Sequence, residues 1–261
     1  MNKSGFALLA VLWVVTALTA LTGTGVLVAR LGSETTRNRI LLARAEWARE
    51  ACGEILLSRF AVDPTIRDLG TIELGRGAWC RASLEDPTAR HNLNIAGGDA
   101  LTRLFKALGV QSALAESVIV RRSHGTLHDL RQVPGIDSAV AIRLMPFVTV
   151  RGTGAVNVNA APAEVLRTLP GITDESVFIL MTRRAARPVQ SADELAGLLS
   201  RSSRAVFLSN YAEFGRGAVF DPVQLVVNVQ GGVRGTAIVA RGTLTAVPVP
   251  GRLAIIRREI E

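Results

Sequence analysis

The sequence predicts an α+β protein in which a long N-terminal helix packs on an antiparallel sheet and a large all-helical domain is inserted into that sheet. Three observations predict this fold. An apolar segment near the start continues into an amphipathic helical pattern, strand-like segments stand at 71–86 and after residue 221, and a helical block lies between them. A chain of 261 residues is long enough to bury a sizeable core beside such a helix.

The first element is an uncharged segment that follows the short leader MNKSG. No charged residue stands between Ser4 and Ala29. At about 1.5 Å per residue, a helix over 6–29 is roughly 36 Å long, which is enough to cross a bilayer. We therefore expect a single transmembrane helix over 6–29. Lys3 and the terminal amine precede this span, which permits a cytoplasmic N-terminus.

The same helix is expected to continue beyond the membrane. Between Glu34 and Arg59, residues of one helical face recur at steps of four and three: Leu41, Ala45, Ala48, Cys52, Ile55 and Arg59. Asp63-Pro64 is expected to end the helix, because proline disfavours the helical conformation of the residue before it. One helix is therefore predicted to run from the bilayer into a folded domain.

The strands come next and last in the chain. Residues 71–86 alternate around Trp79 and Cys80 and predict a strand or a hairpin. At the other end, PVQLVVNVQGGVRGTAIVARGTLTAV and RLAIIRREI predict strands over 217–261, split by Gly231-Gly232 and by the Pro248, Pro250 and Gly251 group.

Between the strands, residues 91–216 predict an inserted helical domain with an internal repeat. NLNIAGG begins at Asn92 and NVNAAPA begins at Asn157, and each leads to a helix that ends in two arginines. The repeat predicts two related units, at about 91–150 and 156–214, packed on each other. In the second unit, Asn159 is expected to cap a helix that opens at Ala161-Pro162.

The residue types give little support to an enzyme. His91, His124 and His128 are the only histidines, and none stands in a zinc-protease or cysteine-rich pattern. The sequence has no P-loop, no nucleophile elbow and no EF-hand spacing. We therefore expect the histidines to be polar loop and capping residues and the protein to be non-catalytic.

The charge and the proline-glycine turns leave nucleic-acid binding as an alternative function. The formal net charge is +8, but the arginines are scattered, which favours a solvated surface. QVPGID and TLPGIT, with Gly135 and Gly171, resemble hairpins of helix-hairpin-helix modules, which can present backbone amides to phosphate. The alternative is therefore a membrane-anchored DNA-binding or uptake protein. Because neither glycine is followed by a basic residue, we expect simple tight turns and no nucleic-acid partner.

The N-terminus resembles that of the type IV prepilin class. A short basic leader, Gly5, Phe6 and an apolar helix stand in the order typical of that class. The resemblance implies that a prepilin peptidase cuts between Gly5 and Phe6, releasing a leader over 1–5, and that Phe6 is then N-methylated. The other interpretation is an uncut signal anchor.

One departure from that class narrows the resemblance. Typical pilins carry a glutamate at the fifth mature position, where this chain has Ala10. With this absence and the segment VNVNAAPAEVLRTLPGI, the chain resembles the protein K family of minor pseudopilins of type II secretion. The resemblance implies a pilin-like helix and first strands over 30–90, helix-hairpin-helix or SAM-like inserted units, and a role at the fibre tip, for which Ala10 is the marker.

The resemblance also implies partners and a location. The partners are two other minor pseudopilins, the major pseudopilin, the prepilin peptidase and the inner-membrane secretion platform. The chain is expected in the inner membrane with its globular part in the periplasm. No cofactor is required, although calcium binding occurs in the family, and no ligands are assigned. In the oxidising periplasm Cys52 and Cys80 are either a disulfide or two buried thiols.

Overall fold

The computed structural model describes residues 3–250 and 252–260, and it contains a long helix, a five-stranded sheet and a block of short helices. The helices are α1 (Lys3–Val62), α2 (Gly98–Ala107), α3 (Ala113–Ser123), α4 (Ser138–Leu144), α5 (Ala163–Leu166), α6 (Asp174–Ala186), α7 (Ala192–Leu198), α8 (Arg201–Ser209) and α9 (Tyr211–Gly217). The strands are β1 (Asp68–Gly75), β2 (Ala78–Glu85), β3 (His91–Asn92), β4 (Val148–Thr149), β5 (Val156–Asn157), β6 (Ala218–Val219), β7 (Leu225–Val233), β8 (Val239–Val249) and β9 (Arg252–Ile260).

The main sheet is antiparallel and has the order β1-β2-β7-β8-β9. The predicted α+β fold, with a long N-terminal helix on an antiparallel sheet, is therefore confirmed. Residues 71–86 belong to the β1–β2 hairpin. One detail of the prediction is wrong: Gly231 and Gly232 lie inside β7 and do not split it. The chain instead reverses at residues 234–238 and again after Val249.

The helix α1 ends where the sequence predicts, at Val62 before Asp63-Pro64. Its second half packs on the sheet, and Ala45, Ala48 and Cys52 of the predicted face are buried. The rest of that face is different: Ile55 is only half-buried and Arg59 is exposed. The side chains that α1 buries instead are Arg49, Leu56, Leu57 and Phe60. A strict seven-residue repeat drifts by about 20° per repeat on a straight helix, so it leaves the sheet before the helix ends.

Glycine allows α1 and β7 to approach closely. A Cβ atom on Gly231 would meet the carbonyl oxygen of Ala45 and the backbone nitrogen of Arg49. One turn further along α1, a Cβ on Gly53 would overlap Leu244 of β8 and would stand 3.4 Å from Val229 of β7. These contacts fix the direction of β7 relative to α1. Gly231 lies against Ala45 and Arg49, and Val229 lies against Gly53 one turn later, so the start of β7 at Leu225 is farthest from the apolar half of α1.

The helical block therefore leaves and rejoins the sheet at the end farthest from the apolar half of α1. It leaves after Glu85 and returns at Leu225, and Glu85 pairs with Val226. The block has its own hydrophobic core, separate from the core between α1 and the sheet. It contains α2–α9 and two short parallel strand pairs, β3–β4 and β5–β6, that the sequence did not predict.

Candidate assembly surface

The first half of α1 projects from the folded domain, and from Val11 onward its apolar side chains are exposed. Among the helices of the described residues, one is long and apolar enough to cross a membrane, and it is α1. Val11, Trp13 and Leu21 are 62%, 69% and 74% exposed. The threonine hydroxyls of this half donate to carbonyl oxygens one turn earlier, as Thr16 does to Leu12 at 2.8 Å. Because its polar groups are satisfied within the helix, this surface suits a bilayer or a bundle of similar helices.

The residues of the predicted processing site lie at the start of this helix. Gly5, Phe6 and Ala10 belong to the first turns of α1, where the structure describes the backbone but not the side chains. Cleavage, methylation of Phe6 and the role of Ala10 therefore stay predictions.

Cys52 and Cys80 face each other between α1 and β2. Their sulfur atoms lie at bonding distance, their Cα atoms are 5.9 Å apart, and both side chains are fully buried. A disulfide here closes a loop with a sequence separation of 28 residues and ties the helix to the second strand of the sheet.

In each half of the helical block, the side chain of one asparagine forms hydrogen bonds to two distant backbone segments. The side-chain amide of Asn94 donates to the carbonyls of Leu127 and Val150, and its oxygen accepts from the Leu127 amide. Asn159 makes the same three bonds to Val189 and Phe220. The predicted helix cap at Asn159 is therefore wrong, because its side chain is occupied by partners 30 and 61 residues away. α5 instead begins at Ala163 without a side-chain cap.

An arginine from the second helix of each half, α3 or α6, completes the repeat. Arg122 donates from one nitrogen to the carbonyls of Leu93 and Ala96, and Arg184 does so to those of Val158 and Ala161. These carbonyls belong to the NLNIA and NVNAA segments. The bonds explain why the second arginine of each pair is half-buried. In the sequence, this role was visible only as a repeated pair of arginines.

The two proline-glycine turns do not occupy equivalent places in the repeat. Leu127 and Val189 occupy equivalent positions, because each donates to the asparagine of its own half. Gly135 therefore corresponds to Gly197 inside α7. Gly171 stands between α5 and α6, as Gly109 stands between α2 and α3. Gly109, Gly135 and Gly171 have φ of 64°, 87° and 73°, a left-handed conformation that explains the glycines.

The surroundings of these turns disfavour a phosphate-binding role. A Cβ on Gly171 would stand 3.1 Å from the Phe207 Cα, so the turn packs against α8. Asp174 and Glu175 follow it and are exposed, and they would repel a DNA phosphate. At the other turn, the carboxylate of Asp137 accepts from the Val140 amide and places negative charge at the helix start.

The histidines are separate from one another, and one departs from the prediction. His124 ends α3 and its Nδ1 contacts the Val120 carbonyl at 2.8 Å, as expected of a capping residue. His91 is not a loop residue. It is 4% exposed in β3, and its Nε2 bonds to the Thr168 hydroxyl of the second unit. Burial, and to a smaller extent the Arg103 charge, lower the pKa of His91 to about 4.

Polar contacts fix the helical block to the sheet, and sequence reasoning missed them. Asn157 of the block donates to the Asp86 carboxylate at 2.8 Å, directly after β2 ends. Arg90 pairs with Glu85. Asn157 and Asp86 are 71 residues apart in the chain, so no local pattern signals their contact.

No metal centre is identified in residues 3–250 and 252–260, which contain no group of three or more histidine, cysteine, aspartate or glutamate side chains that could hold an ion. Calcium ligands are therefore not assigned.

No family model matches the sequence, and no curated protein shows significant similarity to it. A solved structure is similar: a chain in the crystal structure of the GspK–GspI–GspJ complex from the enterotoxigenic Escherichia coli type 2 secretion system. The TM-score is 0.65 at 15% identity, over 87% of this chain and 99% of that one. The chain has a pseudopilin-like fold. Since α1 and the main sheet with its connections make up about half of the chain, the likeness extends into the helical block.

Proposed function

We propose that this protein is a minor pseudopilin of a type II secretion system, which caps the tip of the periplasmic pseudopilus and helps to start its assembly. The observation that carries the proposal is the fold shared with a chain of the GspK–GspI–GspJ complex, over 87% of the present chain. Its action is assembly and not catalysis. The exposed apolar half of α1 serves first as a single-pass inner-membrane anchor and then as the part that packs among other pseudopilin helices.

The topology and partners follow from this role. The N-terminus is cytoplasmic, and the sheet and helical block are periplasmic. The prepilin peptidase cuts between Gly5 and Phe6, and Phe6 is methylated. The partners are two other minor pseudopilins, the major pseudopilin and the inner-membrane secretion platform. No cofactor is required by this mechanism, and calcium binding is implied by the family resemblance alone, with no ligands assigned.

The position of the helical block supports placement at the tip. The block lies at the end of the sheet farthest from the apolar half of α1, which is the end that points away from the membrane. In a fibre that grows from its base, that end faces the subunits added earlier. A large domain there would obstruct close packing inside the shaft, but it has free space at the tip.

Processing at Gly5 tests the pseudopilin proposal. The full chain is produced with the prepilin peptidase, and its N-terminal residue is determined by mass spectrometry. We expect the native chain to begin with methylated Phe6 and the Gly5→Leu variant to keep its leader, because the peptidase must accommodate the residue before the cut. Gly23→Leu, which changes a glycine farther along the same helix, is the control and should be processed. A native chain that keeps Met1 would contradict the proposal.

A further inference from the structure

Three arginines follow one face of α1 directly after its apolar segment. Arg30, Arg37 and Arg44 are seven residues apart and all are exposed. Seven residues turn an α-helix to within about 20° of the starting direction, so the three guanidinium groups lie along nearly one line. Glu34 stands beside this line and pairs with Arg30 at 3.7 Å. We call these three residues the arginine row.

The arginine row runs along one flank of the surface by which α1 packs on the sheet higher up. Ala48 and Cys52 follow Arg44 at steps of four and are buried against the sheet. Below Ala45 the sheet no longer covers this face. Along the helix axis the row therefore lies between the apolar segment and the packed surface, and Arg44 stays exposed beside buried Ala45.

The first two arginines of the row can reach the same lipid headgroup layer. Arg30 comes immediately after the apolar span, and Arg37 stands about 10 Å farther along the axis. The headgroup layer of one leaflet is roughly 5–8 Å thick, and a long arginine side chain extends several ångströms along its helix. Arg30 and Arg37 can therefore reach the same phosphate, while Arg44 adds positive charge within about one Debye length.

A shallow groove accompanies the row on the helix surface. It is lined by Gly32, Ser33, Thr36, Arg37, Ile40, Leu41 and Arg44. A Cβ on Gly32 would meet no other atom, so this side of the helix is open. Half-exposed Ile40 offers an apolar contact beside the two guanidinium groups. The groove thus combines phosphate-binding charge with an apolar wall.

We propose that the arginine row binds the phosphate of an anionic phospholipid at the membrane surface from which α1 emerges. Guanidinium groups bind phosphate oxygens in a bidentate manner, and basic residues beside a membrane surface are attracted to anionic lipids. Because the row is on one face, the bound headgroups fix the rotation of α1 about its axis and hold the sheet above them. This inference rests on the membrane anchoring in the proposed function.

Arg39 provides a matched comparison. It is exposed and only two residues from Arg37, so it stands at almost the same height above the membrane. Two residues turn the helix by about 200°, which places Arg39 on the opposite side. Seven residues beyond it stands Glu46 instead of an arginine. Arg39 therefore carries the same charge as Arg37 but does not belong to the arginine row.

The test uses the full chain in nanodiscs that contain equal amounts of phosphatidylglycerol and phosphatidylcholine. The chain is extracted in mild detergent, and the lipids that remain bound are counted by mass spectrometry. We expect several-fold enrichment of phosphatidylglycerol on the native chain, a loss of most of this enrichment in Arg37→Gln, and little change in Arg39→Gln.

Different failures have different meanings. If the chain inserts but retains no excess of phosphatidylglycerol, or if Arg37→Gln and Arg39→Gln lose it equally, the lipid site is wrong and the proposed function is untouched. If Arg37→Gln leaves lipid retention unchanged but prevents co-purification with other pseudopilins, the row serves an acidic protein surface and the lipid site is overturned. If the native chain does not insert into nanodiscs at all, the membrane anchor fails, and the proposed function fails with it.

Discussion

Cys52 and Cys80 join the two parts of the sequence that were easiest to predict, a helix face and an alternating strand. Their proximity was one of two open alternatives, because periodicity shows which side a residue faces but not what stands opposite. The sequence was less informative for side chains that bond across the fold. Asn159 looked like a helix cap and His91 like a loop residue, yet their partners lie 61 and 77 residues away. Local patterns contain no information about such partners.

Removal of the cysteine pair should lower stability. Closing a loop of this length reduces the entropy of the unfolded chain by an amount worth about 3–4 kcal/mol. We expect the variant with Cys52→Ala and Cys80→Ala to lose about that much free energy of unfolding, measured by denaturation of the full chain in detergent. A reducing agent should destabilise the native chain and leave the variant unaffected. Two thiols that react with an alkylating agent in the unreduced, denatured native chain would show that no bridge forms.

His91 should make the folded state sensitive to acid. Its pKa of about 4 in the fold lies below the ordinary 6.5, so the unfolded chain binds the proton more readily. The stability that depends on neutral His91 is therefore present above pH 6.5 and is lost as the pH falls to 4, by at most about 3 kcal/mol. We expect His91→Gln to flatten the unfolding free energy over this range, while exposed His124→Gln keeps the native slope. Equal slopes in all three proteins would contradict this assignment.

At the scale of elements, the type and order of the main helix and strands were predictable, because apolar residues recur in each at the spacing typical of a helix or a strand. The failures occurred where two elements meet. Gly231 and Gly232 looked like a break between strands, since glycine usually weakens a strand. Their place inside β7 is explained by the backbone of α1, which leaves no room for a side chain at Gly231. The short strand pairs β3–β4 and β5–β6 have two residues each and no period to recognise.

The crossing of α1 and β7 should be intolerant of a single added methyl group. Gly231→Ala places a Cβ against the backbone of Ala45 and Arg49, so the helix must move away from the sheet. We expect a loss of about 1–3 kcal/mol or more in the free energy of unfolding. Gly197→Ala is the matched control. Gly197 lies in α7, a Cβ there would meet no other atom, and alanine favours a helix. If both variants unfold at the same denaturant concentration as the native chain, the close approach does not constrain the fold.

At the scale of the whole molecule, one long element connects regions with different surroundings. From residue 11 onward the first half of α1 exposes apolar side chains, the arginine row follows on an exposed flank of the helix, and the second half of α1 forms the core with the sheet. The helical block occupies the opposite end and has its own hydrophobic core, and Asn157–Asp86 and Arg90–Glu85 contacts bind it to the end of β2. This arrangement separates an end with exposed apolar side chains from a bulky end, and the proposed tip position rests on that separation.

The tip assignment depends on both ends and can be tested at Ala10. In the family picture, a glutamate at this position neutralises the N-terminal amine of a neighbour already in the fibre, because an unpaired charge in an apolar bundle is costly. A tip subunit has no earlier neighbour, so Ala10→Glu should be tolerated or mildly harmful to secretion.

Deletion of the protein should instead impair secretion and fibre initiation, while overproduction should give more and shorter fibres. Immunogold labelling should place the protein at one fibre end in few copies, with the major pseudopilin labelled along the shaft as the control. Labelling of this protein along the whole shaft would overturn the tip assignment even if processing at Gly5 were established.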